Sequence, residues 1–451
     1  MRYLASLIGL GLTMYCMGLS AANYYLPPEY AVPGEVSIIH AGTLLSVPGK
    51  QPLKKQSIIV RNGKISEIRS GYVKAAEISS QSGVKVVDLT GHFVMPGFID
   101  LHVHLTSQAG SGSRSHAVTQ SDADIVMTAQ MFARRTLLAG FTTVRDLGSR
   151  GNAIFALRDA IRAGKILGPK IMAAGETITP TGGHADVHGY RQDVLDVMAS
   201  SGVCDGADGC RAAVRRQVKR GADVIKVTAT GGVLSETATG TGQQFTNEEL
   251  RAIAETAHAL GRKVTAHAHE KAGIEAALRA GFDSIEHSMW ADKETMKLFK
   301  KTGAWLIPTV YPITAVGDTP EKMREGPFRD MPEPVMNKLL RLGSQPKDMT
   351  RLAHEMGVNI ALGTDSGVSP HGENANEFIE YVNAGMTEMQ ALIAGTVDAA
   401  EAAGRADSIG TIESGKAADI VAMKHNPLDD IHAVLNLKFI MRDGVIFKQT
   451  E

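Results

Sequence analysis

The sequence predicts an α/β protein: a (β/α)8 TIM barrel with a small β-sandwich domain built from both chain termini. Three observations predict it. Between residues 95 and 408 short apolar strands alternate with amphipathic helices, the pattern of repeated βα units. The two ends, residues 23–94 and 409–451, instead repeat strands separated by tight turns. Polar residues of the central stretch fall at the C-terminal ends of its strands, where β/α barrels carry their sites. Alternation alone also fits a doubly wound open sheet, so periodicity by itself does not close the barrel.

Composition narrows the function classes. A chain of 451 residues that is 43% hydrophobic can bury a sizeable core and is not a disordered or fibrous sequence. A formal net charge of -1 leaves no general electrostatic footprint for nucleic acid or anionic membrane, and 5% aromatic residues argue against a base-stacking platform. At the start, Arg2 precedes an apolar run over residues 3–19, and Ser20-Ala21-Ala22 supplies small residues for cleavage before Asn23. Residues 1–22 therefore read as a signal peptide, which makes the mature chain periplasmic or secreted, with no stable membrane anchor after processing. A retained anchor is the competing reading, although Pro27 and Pro28 follow the run in place of a basic flank. Beyond this segment only Cys204 and Cys210 remain, and the sequence leaves open whether they close a small-loop disulfide or stay as two thiols.

In chain order, strands are expected at 37–42 and 57–60, then at 65–68 after the turn Arg61-Asn62-Gly63-Lys64, since Asn-Gly between apolar runs signals a hairpin. These strands are too few to bury themselves. Residues 410–421 and 439–447 repeat the habit, so one composite sandwich from both ends is the economical reading. The barrel strands are expected at 96–105, 142–146, 170–174, 224–228, 264–269, 284–287, 304–308 and 359–363. Between them lie helices such as residues 247–260, with Thr246 as N-cap and Glu249 completing a capping box.

His102 and His104 alternate onto one face of the opening strand. Alone, such a pair is as compatible with core or surface histidines as with a metal. Lys226 lies in the fourth strand, His267 ends the fifth, His287 ends the sixth and Asp365 follows the eighth. Each has a bland reading: a snorkelling lysine, a hydrogen-bonded core histidine, a helix-capping aspartate. Independent accidents would not collect at one end of successive strands.

On these motifs the chain resembles the amidohydrolase superfamily, in its binuclear-metal subgroup, from Val94-Met95-Pro96-Gly97-Phe98-Ile99-Asp100-Leu101-His102-Val103-His104 to Gly415-Lys416-Ala417-Ala418-Asp419. The resemblance implies two divalent metal ions. His102 and His104 would bind the more buried ion with Asp365, His267 and His287 the more exposed one, and Lys226 would bridge them as N6-carboxylysine. Lys226 favours this subgroup because mononuclear deaminases lack a lysine at that strand. Zinc is the ion that suits the ligands best, although manganese, cobalt or iron could serve. The implied reaction is hydrolysis of a carbon–nitrogen bond by a metal-bridging hydroxide, with Asp365 as general base and then acid. Relatives often form homo-oligomers, so a homo-oligomer is expected.

The resemblance also places substrate residues. His269 stands where the family commonly has tyrosine, and is assigned to the substrate side of the pocket. His184 resembles the pocket histidine that polarises a carbonyl or meets a carboxylate, its bland reading being a solvated loop residue. His188 and Tyr190 in the same loop, and Val233 after the fourth strand, are further candidates. The Thr/Gly-rich run to Gln244 reads as a lid or as a linker. The nearest resemblance is to the exported, prolidase-like branch, which cleaves dipeptides or N-acyl amino acids as a metallo-dipeptidase or carboxypeptidase. Ochratoxin-type amide hydrolases and imidazolonepropionase-like cyclic amidohydrolases are the alternatives. A small-molecule amide or dipeptide is thus the expected partner. A scaffold protein that has lost catalysis is the non-enzyme alternative, and the six filled ligand positions count against it.

Overall fold

The computed structural model describes residues 36–78, 83–110, 113–235, 240–316, 320–325 and 332–450. The expected signal peptide and part of the expected lid lie outside the described residues. Among the described residues no helix is long and apolar enough to cross a membrane.

Both ends of the chain build one sheet. From the N-terminal side come β1 (Val36–Leu44), β2 (Leu53–Arg61), β3 (Lys64–Ser70) and β4 (Val84–Pro96). From the far end come β12 (Ile420–Met423), β13 (Leu437–Arg442) and β14 (Val445–Gln449), and the order is β14-β13-β12-β4-β1-β2-β3. The Asn-Gly turn forms where the sequence predicts it, with Asn62 and Gly63 at φ 50° and 75°, both in the left-handed region that such a turn demands. The sandwich expectation changes in one respect: the strands form a single curled sheet, not two stacked ones. The reason is β4, whose 13 residues pair with β1 along one flank and with β12 along the other. Curling brings the far edge round, so that the Ile65 N–H donates to the Lys416 carbonyl at 2.9 Å and the Ala418 N–H to the Gly63 carbonyl at 2.9 Å. Ile39, Ile58, Val60, Leu89, Phe439 and Met441 fill the space enclosed.

The remaining strands are parallel and separated by helices. β5 (Phe98–Val103), β6 (Phe141–Asp146) and β7 (Lys170–Ala173) form a three-stranded sheet. β8 (Val224–Thr228), β9 (Lys263–Ala268), β10 (Ser284–His287) and β11 (Trp305–Ile307) form a four-stranded one. Isolated parallel bridges join the pieces: Ile178 to Val227, Leu306 to Ile360 and Val103 to Ser366. The arrangement is TIM-barrel-like α/β. The expected strand at 359–363 is not a regular strand. Its Ala361 N–H does donate to the Leu306 carbonyl at 3.0 Å and its Leu362 carbonyl accepts from Leu101 at 2.9 Å, but the Leu362 N–H turns to the Ala394 carbonyl at 2.9 Å, which interrupts the ladder.

The helices bury regular stripes against these strands. Asn247–Ala259 begins at the predicted capping box, with the Thr246 hydroxyl accepting from the Glu249 N–H and the Glu249 carboxylate accepting from Thr246. It buries Leu250, Ile253, Ala254 and Ala257, one face at helical spacing, with about 1.5–3 kcal/mol gained per large aliphatic side chain. The barrel-like part and the curled sheet are joined by Lys170, whose Nζ lies 2.7 Å from Asp419 Oδ2 and 2.8 Å from Asp443 Oδ1.

Candidate metal centre

β5 delivers the first ligands, and a buried carboxylate sets their direction. Asp100 accepts from the His102 N–H at 3.0 Å, the Thr364 N–H at 3.0 Å, the Thr364 hydroxyl at 2.6 Å and the Asn374 amide at 2.8 Å. Burial pushes its carboxyl up to about 6, with these donors holding it lower than burial alone would. β5 is thereby tied to the segment that carries Asp365. His102 Nε2 and His104 Nε2 lie 3.4 and 3.3 Å from the same Asp365 oxygen. Ligand atoms of the three residues all fall within 4.8 Å of one another. On the other ring nitrogens, His104 Nδ1–H donates to the Gly148 carbonyl at 3.1 Å, and His102 Nδ1 is in ion-pair contact with Glu286 Oε2 at 2.8 Å. Both Nε2 atoms are thus the ones left to ligate. Burial disfavours charge on His104, but facing Asp365 raises its pKa overall; His102, more deeply enclosed and near Lys226, is lowered to about 4.

Lys226, His267 and His287 come from β8, β9 and β10 onto the same cavity. The Lys226 Nζ is buried and has no hydrogen-bond partner, and burial lowers its pKa to about 8. His287 Nδ1–H donates at 2.7 Å to the Thr309 hydroxyl, which itself donates to the Pro308 carbonyl at 2.7 Å. The His267 and His287 ring centroids are 4.6 Å apart, and burial together with the neighbouring imidazoles drives both pKa values well down. Neutral imidazole is the ligating form. The backbone is also strained here: His287, Ser288, Thr309 and Asp365 have φ of 68°, 55°, 53° and 51°. Left-handed non-glycine residues cost on the order of 1–3 kcal/mol each and persist where surroundings over-determine them.

The cavity measures about 330 Å³, and His184, His269 and Val233 also line it. Buried Nδ1 atoms of His184 and His269 have no partner, and burial lowers both residues to about 3. His184 lies against Gly232, where a Cβ would come within 2.1–2.4 Å of its ring, so that only glycine fits. His188 and Tyr190 are not in this cavity. They line an adjoining one of about 460 Å³, because His188 Nε2 is held at 2.7 Å by the Gly183 carbonyl and the loop turns away from the ligands. Cys204 and Cys210 form a disulfide at the start of the helix Gly206–Arg220.

Two residues without a predicted role organise the centre. Glu286 Oε1 accepts from Arg145 Nη2 at 2.9 Å and from the Thr265 hydroxyl, while Arg145 also donates to the Leu101 carbonyl at 2.7 Å and to Ser284 Oγ at 3.2 Å. Burial alone would raise the Glu286 carboxyl, but Arg145 and His102 outweigh it and hold it at about 2. The available signal was a charged residue within each of two expected strands, Arg145 in residues 142–146 and Glu286 in residues 284–287. Glu377 does a similar service for the segment after β11, accepting from the Val310 and Tyr311 N–H groups at 2.7 Å each. The donor set fits divalent cations: four imidazoles, with those of His104 and His287 held by partners on their far nitrogens, one ionised carboxylate, and a buried amine with no hydrogen-bond partner.

A family model described as the Amidohydrolase family matches residues 93–447, from the end of β4 to within β14. The chain belongs to the amidohydrolase family. Among curated relatives of this amidohydrolase, ochratoxinase of Aspergillus niger is 32% identical over 478 residues, covering 97% of this chain and 92% of that protein. Among solved structures, a Xaa-Pro dipeptidase with bound methionine in the active site superposes with a TM-score of 0.83 at 37% identity, over 92% of this chain and all of that one. A prolidase complexed with N-methylphosphonate-L-proline superposes with a TM-score of 0.81 at 28% identity over 92% of this chain. As an amidohydrolase with ochratoxinase and prolidase-like homologues, the protein is a metal-binding hydrolase acting on carbon–nitrogen bonds.

Proposed function

We propose that this amidohydrolase is an exported binuclear enzyme that cleaves the amide bond of dipeptides or N-acyl amino acids. The observation that carries the reading is the Lys226 amine, buried and unpartnered in a cavity that also holds His102, His104, His267, His287 and Asp365. With Lys226 carboxylated as the bridge, His102, His104 and Asp365 would hold one divalent ion and His267 and His287 a second, and the pair would supply Lewis acidity and an acidified water. Carboxylation joins the neutral amine to carbon dioxide and releases a proton, and burial enriches that neutral amine. Burial works against a charge on Asp365, yet His102 and His104 keep it ionised, so it can take a proton during attack and return it to the leaving nitrogen. His184 and His269, neutral and with unbonded Nδ1 atoms, are placed to hydrogen-bond the substrate carbonyl or carboxylate.

Similarity to an ochratoxinase over 97% of the chain favours N-aryl-acyl amino acids as a second substrate group. The Cys204–Cys210 disulfide supports the export reading of residues 1–22, since such bonds persist in oxidising compartments. The three inter-sheet bridges support a (β/α)8 reading in which residues 359–366 occupy the eighth strand position, with the composite β unit of both ends beside it. The test is reconstitution of the purified protein with zinc and bicarbonate, followed by an assay of dipeptides and N-acyl amino acids for released amino acid. About two equivalents of metal and amino acid release are expected. Less than about one equivalent, or unchanged metal and turnover in Lys226→Ala, overturns the binuclear reading. Activity confined to cyclic amides overturns the substrate class.

A further inference from the structure

The cavity that holds the candidate metal ligands has a second set of lining residues. Apart from histidines, the only side chains of charged type in its lining are Lys226 and Asp365, and both belong to the candidate centre. Much of the rest is aliphatic: Val233, Leu234, Met289, Ile313, Leu339 and Leu342 form one wall, a cluster that packs apart from the main core. Three stretches of chain supply it, the turn after β8, the residues after β10 and the helical segment after β11. Polar ties hold these stretches together. Lys338, on the helix Glu333–Leu340, donates from Nζ to the Gly232 carbonyl at 2.8 Å and to the Ser235 carbonyl, the two ends of the turn that carries Val233 and Leu234. The Ser235 hydroxyl closes the same turn onto the Gly232 carbonyl at 3.2 Å. Just past the helix, the Arg341 guanidinium lies 5.4 Å from the ring centroid of Trp290, the neighbour of Met289.

We propose that Lys338 is a specificity-determining positioning residue, which clasps the turn Gly232–Ser235 to the helix Glu333–Leu340 and so holds the wall that receives an aliphatic side chain of the substrate. This rests on the amide-hydrolase reading and deepens it. A hydrogen bond from an ammonium is stronger than one between neutral groups, and here two of them go to one turn. Val233 and Leu234 on the turn therefore keep a fixed place against Leu339, the residue next to Lys338 in the helix. Packing of the wall on the core does not do this, since the cluster stands apart from it. The wall also sets a sign of discrimination: an acidic or basic side chain placed against it would lose its hydration and find no counter-charge outside the candidate centre. An apolar side chain loses nothing there.

The test compares leucyl-leucine with alanyl-alanine, so that whichever half of the dipeptide meets the wall carries the larger side chain in one substrate and the smaller in the other. The metal-loaded parent should prefer leucyl-leucine in kcat/KM by at least about tenfold. Lys338→Met removes the ammonium and keeps an apolar stem, and Leu339→Ala opens the wall itself. In each, that preference should fall at least about threefold, with KM for leucyl-leucine rising more than KM for alanyl-alanine and metal content retained. A partly unfolded sample lowers both rates together and leaves the ratio where it was. Should Lys338→Met not fold, Lys338→Gln, uncharged and one bond shorter, takes its place with the same expectation. A smaller preference in the parent, or a smaller fall in Leu339→Ala, overturns the wall as the seat of the side chain. A smaller fall in the Lys338 variant overturns the clasp. Both results leave the hydrolase reading intact, whereas no turnover of either dipeptide by the metal-loaded parent overturns the dipeptide reading and this inference with it.

Discussion

Glu286 Oε2 stands 2.8 Å from His102 Nδ1, so a carboxylate from β10 faces the imidazole that β5 brings to the candidate metal centre. Its other oxygen is held by Arg145 from β6, and all three side chains are buried. Such far-nitrogen partners set both the tautomer and the basicity of a ligating histidine.

Glu286→Gln should therefore lower metal affinity by about 10–100-fold, read by titration with a metal indicator, while the fold is kept. Glu286→Ala should go further, because Arg145 is left charged and unpaired; a loss of about 3–5 kcal/mol in chemical denaturation is expected.

Lys226 gives a pH dependence with a definite sign. Carboxylation consumes the neutral amine, and with its pKa near 8 the neutral share is about 10% at pH 7 and falls about tenfold for each unit below that. With dissolved carbon dioxide held at one concentration, the rate of reconstitution from metal-free protein should climb from pH 6 to pH 8 and flatten above, by roughly 100-fold in all. A flat profile would count against the carboxylated lysine.

Gly232 is packed under His184 so closely that Gly232→Ala must displace the ring. A shift of this kind is expected to lower kcat/KM about 100-fold with metal content unchanged. Steady-state kinetics beside metal analysis separate this from loss of the centre.

The Cys204–Cys210 bond closes a very short loop, with a sequence separation of 6. Cys204→Ser with Cys210→Ser should cost about 2 kcal/mol in urea denaturation, the loop-entropy value for that length. Reduction of the parent should lower the unfolding free energy as much as the double substitution does.

The candidate ligands were legible because each lies in, ends or follows a short expected strand, and strands announce themselves locally. Their supports were not. Arg145 and Glu286 meet across 141 residues, and nothing local at either position says which charge neutralises it. The segment 359–363 reads as a strand on composition, yet the Leu362 N–H leaves the ladder for Ala394, a choice made by tertiary packing. His188 and Tyr190 share a loop with His184, but the bond from His188 to the Gly183 carbonyl turns them toward the other cavity. The curled sheet was half legible: its membership could be read from both ends, whereas its continuity depends on β4 being long enough to serve two neighbours.

That double pairing of β4 carries a consequence for synthesis. One flank of β4 meets β1, made just before it, but the other must wait for β12, which leaves the ribosome only after the whole central part of the chain. Until then the backbone groups of residues 93–96 present an open strand edge, next to apolar Val94 and Met95, and open edges recruit other chains. A chain truncated before residue 420 would keep every proposed metal ligand and still carry this edge, so it should aggregate before it could be assayed.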